Sequence, residues 1–270
     1  MNPLEFIFPR DLYCVSCGRP LPPQGVECVA LCERCAGEIE WIKGRSCIKC
    51  GRLLLFENHA DICRECADMP ELPFTRGYAC VLYSGRAAEL VRDMKYREKP
   101  WYAETISALM ANKYFSQADP ETGELPCYDH ITAVPMTRKK RESRGYDQAA
   151  LLAGGLSRRI GVPYLPKALT RVRETDVMSS LSAGVRRQNL AYAFSAGYDN
   201  IEKTTMNTIL LVDDVYTTGS SVSACAETLL SAGACRVDVI VFAIGADVRR
   251  GEGRPAVVAS PSQLRAKGPT

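Results

Sequence analysis

The chain is 270 residues long, with 46% hydrophobic and 24% charged residues and a formal net charge of +3. That is the composition of a globular protein with room for one α/β domain of ordinary size and something smaller. No apolar run approaches a membrane span, and the start MNPLEFIFPRDLY lacks a signal peptide's basic head and long apolar core, which excludes a helical membrane protein and predicts a cytoplasmic location.

Thirteen cysteines are many, and ten of them precede residue 81. Without an export signal, such crowding argues for metal rather than disulfides. Four C-x-x-C pairs stand in a row: Cys14/Cys17, Cys32/Cys35, Cys47/Cys50 and Cys63/Cys66, with fourteen residues between the first two pairs and twelve between the last two. The segment is therefore one unit repeated. Gly18 and Gly51 follow the second thiolate of their pairs, as a tight knuckle around a metal requires. Four thiolates per unit suit a closed tetrahedral site holding one structural Zn²⁺. The simplest assignment is two zinc ribbons in sequence, Cys14/Cys17/Cys32/Cys35 and Cys47/Cys50/Cys63/Cys66; an interleaved cross-brace has the same spacing. Cys28 falls outside the pattern, and His59 reads as a surface side chain because four cysteines already fill its unit. Residues 1–75 hold eight Lys or Arg against eleven Asp or Glu. Broad attraction to nucleic acid thus belongs to the later part of the chain, although Lys43, Arg45, Lys49 and Arg52 form a local basic cluster.

Residues 70–74 (PELPF) read as a linker, dividing the chain into a zinc module over 1–70, a second domain over 71–248 and a basic, disordered tail over 249–270. Gly77 to Tyr83 reads as the first strand of the second domain. A helix over Arg86 to Arg97 turns Leu90, Val91 and Met94 inward and ends in Lys95-Tyr96-Arg97; another runs from Trp101 to Phe115. Ile131 to Val134 reads as a strand and Asp147 to Ile160 as a helix, with Arg138, Lys139, Lys140, Arg141 and Arg144 between them. A basic run is ordinarily a solvated face. This one leaves the carboxyl end of a core strand, where the second ligand-binding loop of an open α/β sheet belongs, and it suits a diphosphate.

VPMTRKKRESRGYDQAALLA, beginning at Val134, resembles the "VP…RGFNQ…LA" signature of the ComF family, competence-associated phosphoribosyltransferase-like proteins with N-terminal zinc ribbons. Tyr146-Asp147 stands where members usually read Phe-Asn, and Asp adds a negative charge near the supposed diphosphate. Residues 169–194 resemble a further family block at Arg171, Arg173, Thr175, Leu181, Arg186, Asn189 and Phe194, with Met178 at a usual Gln position. Small, polar and basic residues here suit a mobile loop closing over a phosphorylated ligand; the plain alternative is a surface helix-turn-helix with solvated arginines.

Ile209, Leu210, Leu211 and Val212 form an unbroken apolar run, the mark of a strand buried on both faces of a parallel sheet. It ends at Asp213 and Asp214, and Thr217-Thr218-Gly219-Ser220-Ser221 then leads into a helix from Val222 to Ala232. Free backbone N–H groups at a helix start, a glycine allowing close approach and several hydroxyls make a cradle for a phosphate monoester. Two carboxylates at the strand's carboxyl end can accept from sugar hydroxyls. Taken singly, the acid pair could cap a turn and the hydroxyls an ordinary helix; in this order they imply a ribose 5-phosphate. VDDVYTTGSS resembles the phosphoribosyl-diphosphate (PRPP) motif of type I phosphoribosyltransferases, with Ser221 at a usual Thr. A last buried strand spans Val237 to Ile244.

These resemblances imply a type I phosphoribosyltransferase-like α/β fold, a mostly parallel sheet flanked by helices, preceded by a small Cys-rich double zinc ribbon. They imply that PRPP, with Mg²⁺, is held by Asp213, Asp214, Thr217, Thr218, Gly219, Ser220, Ser221, Pro135, Met136, Arg138, Lys139, Arg144 and Lys95. Asp213, Asp214, Arg171 and Arg173 would act at the reacting centre, the arginines facing a departing diphosphate. The implied role is PRPP binding coupled to DNA uptake in natural transformation, with single-stranded DNA and the uptake machinery as partners and Tyr96, Trp101 and Tyr146 as stacking surfaces. The alternative is an active phosphoribosyltransferase passing phosphoribose to a nitrogen acceptor in nucleotide metabolism. No separate hood for a base is evident after the last strand, and the zinc module is the candidate for that place.

Overall fold

A computed structural model describes residues 13–22, 29–54, 61–69, 71–173, 193–197 and 207–245. Cys28, His59, Thr175, Met178, Leu181, Arg186, Asn189 and the 249–270 tail lie outside them. In chain order the zinc module carries two short helices, α1 (Glu33–Gly37) and α2 (Arg64–Ala67). The larger domain follows with β1 (Gly77–Leu82), α3 (Gly85–Tyr96), α4 (Tyr102–Phe115), β2 (His130–Ala133), α5 (Arg138–Arg144) and α6 (Gln148–Ile160). It closes with β3 (Leu169–Arg171), β4 (Phe194–Ala196), β5 (Thr208–Tyr216), α7 (Ser220–Ser231) and β6 (Arg236–Ile244).

The two apolar runs lie at the centre of a parallel sheet with order β1-β6-β5-β2. Period-two alternation sorts their side chains. Leu210, Val212, Ile240 and Phe242 join α3, α4 and α6 in one core, while Ile209, Leu211, Val239 and Val241 join α7 in the other. A strand covered on both faces needs apolar residues at every position, which is why these runs show no alternation.

Both sheet edges are covered. Ile131 pairs with Tyr164 in a parallel bridge beside β2, and Trp41 pairs with Val81 antiparallel beside β1. The second contact is made by the zinc module: Ile42 N–H donates to Cys80 C=O at 3.0 Å and Leu82 N–H to Glu40 C=O at 2.9 Å. An open strand edge is thereby removed. The approach is backbone to backbone, since a Cβ on Gly51 would lie 2.5 Å from Ala79 N and one on Gly77 2.4 Å from Lys49 O. The two ribbons straddle this edge, the cysteines of the first packing into the α3/α4 core and those of the second into the α7 core.

Four features differ from the sequence expectation. The strand carrying the acid pair continues to Tyr216 because β6 pairs with it as far as Tyr216↔Ile244, so Asp213 and Asp214 lie inside β5. The basic run expected as a loop is the short helix α5, begun by Thr137, whose side chain accepts from Lys140 N–H, and ended by Gly145 at φ 77°. The hairpin β3–β4 has three-residue strands, too short for a periodic signal. Phe74, in the expected linker, is buried edge-on against Tyr216 with ring centroids 6.5 Å apart. Among the described residues no helix is long and apolar enough to cross a membrane.

Candidate functional site

Each cysteine unit is built the same way. A knuckle holds the first pair, with Gly18 N–H donating to Cys14 C=O and Gly51 N–H to Cys47 C=O, both at 2.8 Å. The second pair starts a helix: Cys32 is the N-cap of α1 and Cys63 of α2, with Cys35 and Cys66 three residues on. Sγ atoms converge as Cys14/Cys17/Cys32/Cys35 and Cys47/Cys50/Cys63/Cys66, each set within 4.8 Å. This is the sequential pairing, and it removes the cross-brace. Cys17 and Cys32 Sγ are 3.7 Å apart and Cys50 and Cys63 Sγ 3.6 Å; a tetrahedral zinc with bonds of about 2.3 Å places its sulfurs about 3.8 Å apart. Both sets fit Zn²⁺. The Arg19 backbone N–H lowers the Cys17 thiol to about 7, whereas burial pushes Cys35 up to about 12.

The second constellation lies at the carboxyl ends of the strands. Lys95, in the last turn of α3, places Nζ 2.7 Å from Asp214 Oδ1. Burial works against the Lys95 ammonium, but the charges of Asp214 and Asp213 and the hydrogen bond outweigh it and its pKa is raised. Burial first, and then the charge of Asp214, push the Asp213 carboxyl up to about 8, against the pull of Lys95. Asp214 N–H donates to Asp213 Oδ1 at 2.8 Å. The pair is thus one held carboxylate and one carboxyl that resists ionisation until a cation or donor arrives.

Beyond Tyr216 the chain turns into α7. Gly219 caps the helix at φ 72° in the left-handed region, which frees the turn to bring backbone close to a ligand. Thr218 Oγ1 and Ser220 Oγ are 2.9 Å apart. Asp213 and residues 215–222 line a polar cavity of about 50 Å³, and the first turn of α7 carries no acidic residue. Free N–H groups, hydroxyls and the positive end of a helix face that space, a setting for a phosphate.

Cations surround the acid pair. Lys140 and Arg144 stand four apart on α5 and share a face. Partial desolvation and then the charges of Arg171, Arg144 and Lys95 lower the Lys140 pKa, with Asp214 opposing, so Lys140 is the electrostatic neighbour of cations on α3, α5 and β3 and of Asp214 in the acid pair. Sequence reasoning placed Lys140 in the basic run that suits a diphosphate without naming it among the PRPP residues; its i,i+4 relation to Arg144 is the signal that singles it out. Arg138 pairs with Glu142 at 2.7 Å with its side chain 90% exposed, and Lys139 is exposed. Pro135 is buried, and Met136 N–H donates to Asp147 Oδ2 at 3.3 Å. Asp147 also caps α6 through Ala150 N–H at 3.2 Å and meets Arg141 Nη2 at 3.4 Å, so its charge is already held. Arg171 lies over the Phe194 ring at 5.4 Å and its Nε donates to Arg173 C=O at 3.4 Å, while Arg173 itself is exposed.

Of the aromatic residues, Tyr96 is 72% exposed with Arg144 stacked on its ring at 5.0 Å, and Trp101 is 59% exposed. Tyr146 has a structural contact, its hydroxyl donating to Met94 C=O at 2.5 Å.

Comparison with known proteins finds matches to two family models. A family model described as a double zinc ribbon domain matches residues 3–67, and one described as a phosphoribosyl transferase domain matches residues 147–265. The chain is 31% identical over 211 residues to a "DNA utilization protein YhgH" of Salmonella typhi, covering 77% of this chain and 88% of that protein. It is 34% identical to "Competence protein F" of Haemophilus influenzae over 56% of this chain and 64% of that one. "Competence protein ComFC" of Bacillus subtilis is 27% identical over 75% of this chain and 79% of its own length.

Proposed function

The chain belongs to the ComF family, and from that premise we propose that it is a cytoplasmic PRPP-binding protein that handles single-stranded DNA during DNA uptake. One observation carries the PRPP part: an acid pair held by a lysine, a phosphate-sized polar cavity at a helix start and a ring of cations adjoin one another at the carboxyl ends of parallel strands. Thr217 to Ser221 and the α7 N–H groups take the 5-phosphate. Asp213 and Asp214 accept from the ribose hydroxyls. Lys95, Lys140, Arg144 and Arg171 face the diphosphate, which brings Mg²⁺ as its counter-ion.

The names of the relatives support the DNA part. So does the surface next to the site, where exposed Tyr96 carries Arg144 on its ring and Arg97 follows it in the chain, and where Trp101, Lys139 and Lys140 are exposed as well. Exposed rings take bases by stacking and the cations follow the phosphates. A second reading, transfer of phosphoribose to a nitrogen acceptor, is favoured by Arg171 and Lys140, which stand where positive charge would help a diphosphate depart.

The deciding experiment is calorimetric titration of PRPP with Mg²⁺ into the wild type and into Asp213→Asn/Asp214→Asn, with and without an oligodeoxythymidine. Binding by the wild type, its loss in the double variant and a shift in affinity with DNA present are the expected results; a wild type that binds no PRPP would overturn the proposal. Release of diphosphate on adding candidate acceptors would establish the transferase reading, and its absence alongside tight PRPP binding would sink it.

A further inference from the structure

Arg52 belongs to the second ribbon, directly after the knuckle glycine, yet its contacts reach the larger domain. It is only 2% exposed. One Nη donates to the backbone carbonyl of Gly245, just past β6, and the other meets Glu65 Oε2 of α2 at 2.7 Å. Burial works against its charge, but the neighbouring Glu65 and the nearby Cys50 and Cys63 outweigh it, so its pKa is raised. Gly245 N–H in turn donates to Tyr216 C=O at 3.3 Å, and Tyr216 is the last residue of β5 before the phosphate loop.

Tyr216 makes the second link. Its ring is buried directly under the loop: a Cβ on Gly219 would lie 2.1 Å from the Tyr216 hydroxyl and 2.5 Å from Cζ. That hydroxyl is buried without a hydrogen-bond partner among the described residues and feels the charges of Cys50, Cys66, Arg52 and Cys63. The ring therefore underlies the turn that would grip a phosphate and shares one apolar core with the second cysteine cluster.

We propose that the second zinc ribbon is the positioning element of the phosphate loop, acting through Arg52 and Tyr216, so that an ordered Cys47/Cys50/Cys63/Cys66 site is required for tight binding of a phosphate monoester at residues 217–221. Arg52 fixes the end of β6 and, through Gly245, the last peptide of β5; Tyr216 fixes Gly219 from below. The Arg52 contacts, and the apolar core that Tyr216 shares with the cluster, carry movement of the ribbon into the turn. Among the described residues the first ribbon has no such link. Its cysteines pack in the opposite core, and it is tied to α3 by the Arg86–Glu38 ion pair.

The ligand assigned to the loop rests on the PRPP reading, and the test separates the two. Amide hydrogen exchange at 217–221 and titration of PRPP with Mg²⁺ are measured on the zinc-loaded wild type, Arg52→Met, Arg52→Lys and Arg86→Ala, with zinc counted by mass spectrometry. Arg52→Met keeps the length and apolar stem of the side chain. It is expected to retain both zincs, speed exchange at 217–221 about tenfold and weaken PRPP about tenfold, with partial rescue by Arg52→Lys and no change in Arg86→Ala. Exchange and affinity unchanged in Arg52→Met would overturn the proposal. Should Arg52→Met fail to fold, the wild type stripped by a chelator decides it, since protection at 217–221 that survives loss of the second zinc is equally fatal. A wild type that binds no PRPP would remove the ligand reading, while the exchange comparison would still decide the coupling.

Discussion

Replacing Asp213 by Asn should make the protein more stable and its site useless. In the unfolded chain this carboxyl would ionise near 3.8, whereas burial and Asp214 push it up to about 8 in the fold. Between those values the folded protein binds a proton that the unfolded chain does not, so stability falls as pH rises and levels off above about 8. The slope is at most about 1.4 kcal/mol per pH unit for one proton, which sets a ceiling of about 4 kcal/mol at neutral pH. An amide cannot ionise, so Asp213→Asn is expected to recover about 1–3 kcal/mol after local relaxation and to abolish most of the pH slope attributable to this group. Urea unfolding of zinc-loaded wild type and variant between about pH 6 and 8, where Cys₄ sites keep their metal, measures both quantities. PRPP affinity should fall at least about 30-fold in the same variant, because a carboxylate acceptor for the ribose has gone. Parallel stability curves for the two proteins would refute the reasoning.

Gly219→Ala places a methyl against the Tyr216 hydroxyl at a φ of 72°; a loss of about 1–3 kcal/mol in thermal unfolding and of phosphate binding in calorimetry is expected. Lys140→Ala/Arg144→Ala should weaken single-stranded DNA and lower the slope of log affinity against log salt by about 1–2, as read by fluorescence anisotropy across a salt series, and an unchanged slope would place the DNA contacts elsewhere. The purified chain should carry two zincs under reducing conditions. Chelation should lower the melting temperature sharply, because structural zinc contributes about 10 kcal/mol or more of apparent folding free energy per site; less than one zinc per chain would contradict the Cys₄ assignment.

Features with a short sequence period were legible in advance. Cysteine spacing marked four ligand pairs and two four-thiolate sites, because a knuckle and a helix start each fix their ligands within four residues; which pairs share a site came from the converging Sγ atoms. The acid pair and the hydroxyl-rich turn were legible because strand, turn and helix N-terminus are contiguous. What sequence did not supply is what depends on contacts across the chain. Lys95 and Asp214 are 119 positions apart, and nothing local marks Lys95 as more than a solvated helix end. Arg52 and Gly245 are 193 apart. The basic run misled in a different way. No residue of α5 is buried, so it shows no hydrophobic period and reads as a loop; once it is helical, the i,i+4 rule turns Lys140 and Arg144 to the site and pairs Arg138 with Glu142.

The Lys95–Asp214 pair gives the site a way to wait for its ligand. Both side chains are largely out of water, 22% and 9% exposed, and a buried charge left alone is costly, so each satisfies the other while the site is empty. On the PRPP reading the ligand brings what both groups want at once: hydroxyls for Asp214 and a diphosphate for Lys95. Binding then exchanges one set of partners for another without leaving either charge uncompensated. Asp213 behaves differently, since it holds its proton until hydroxyl donors and the cation of the diphosphate stabilise its anion. On the same reading a ligand with a phosphate but no vicinal hydroxyls would satisfy Thr217 to Ser221 and leave the acid pair as it was, so the site would distinguish a ribose phosphate from a plain phosphate by its acidic half. The basic half, shared with the Tyr96 surface, is where a nucleic-acid strand and the diphosphate would compete for the same cations.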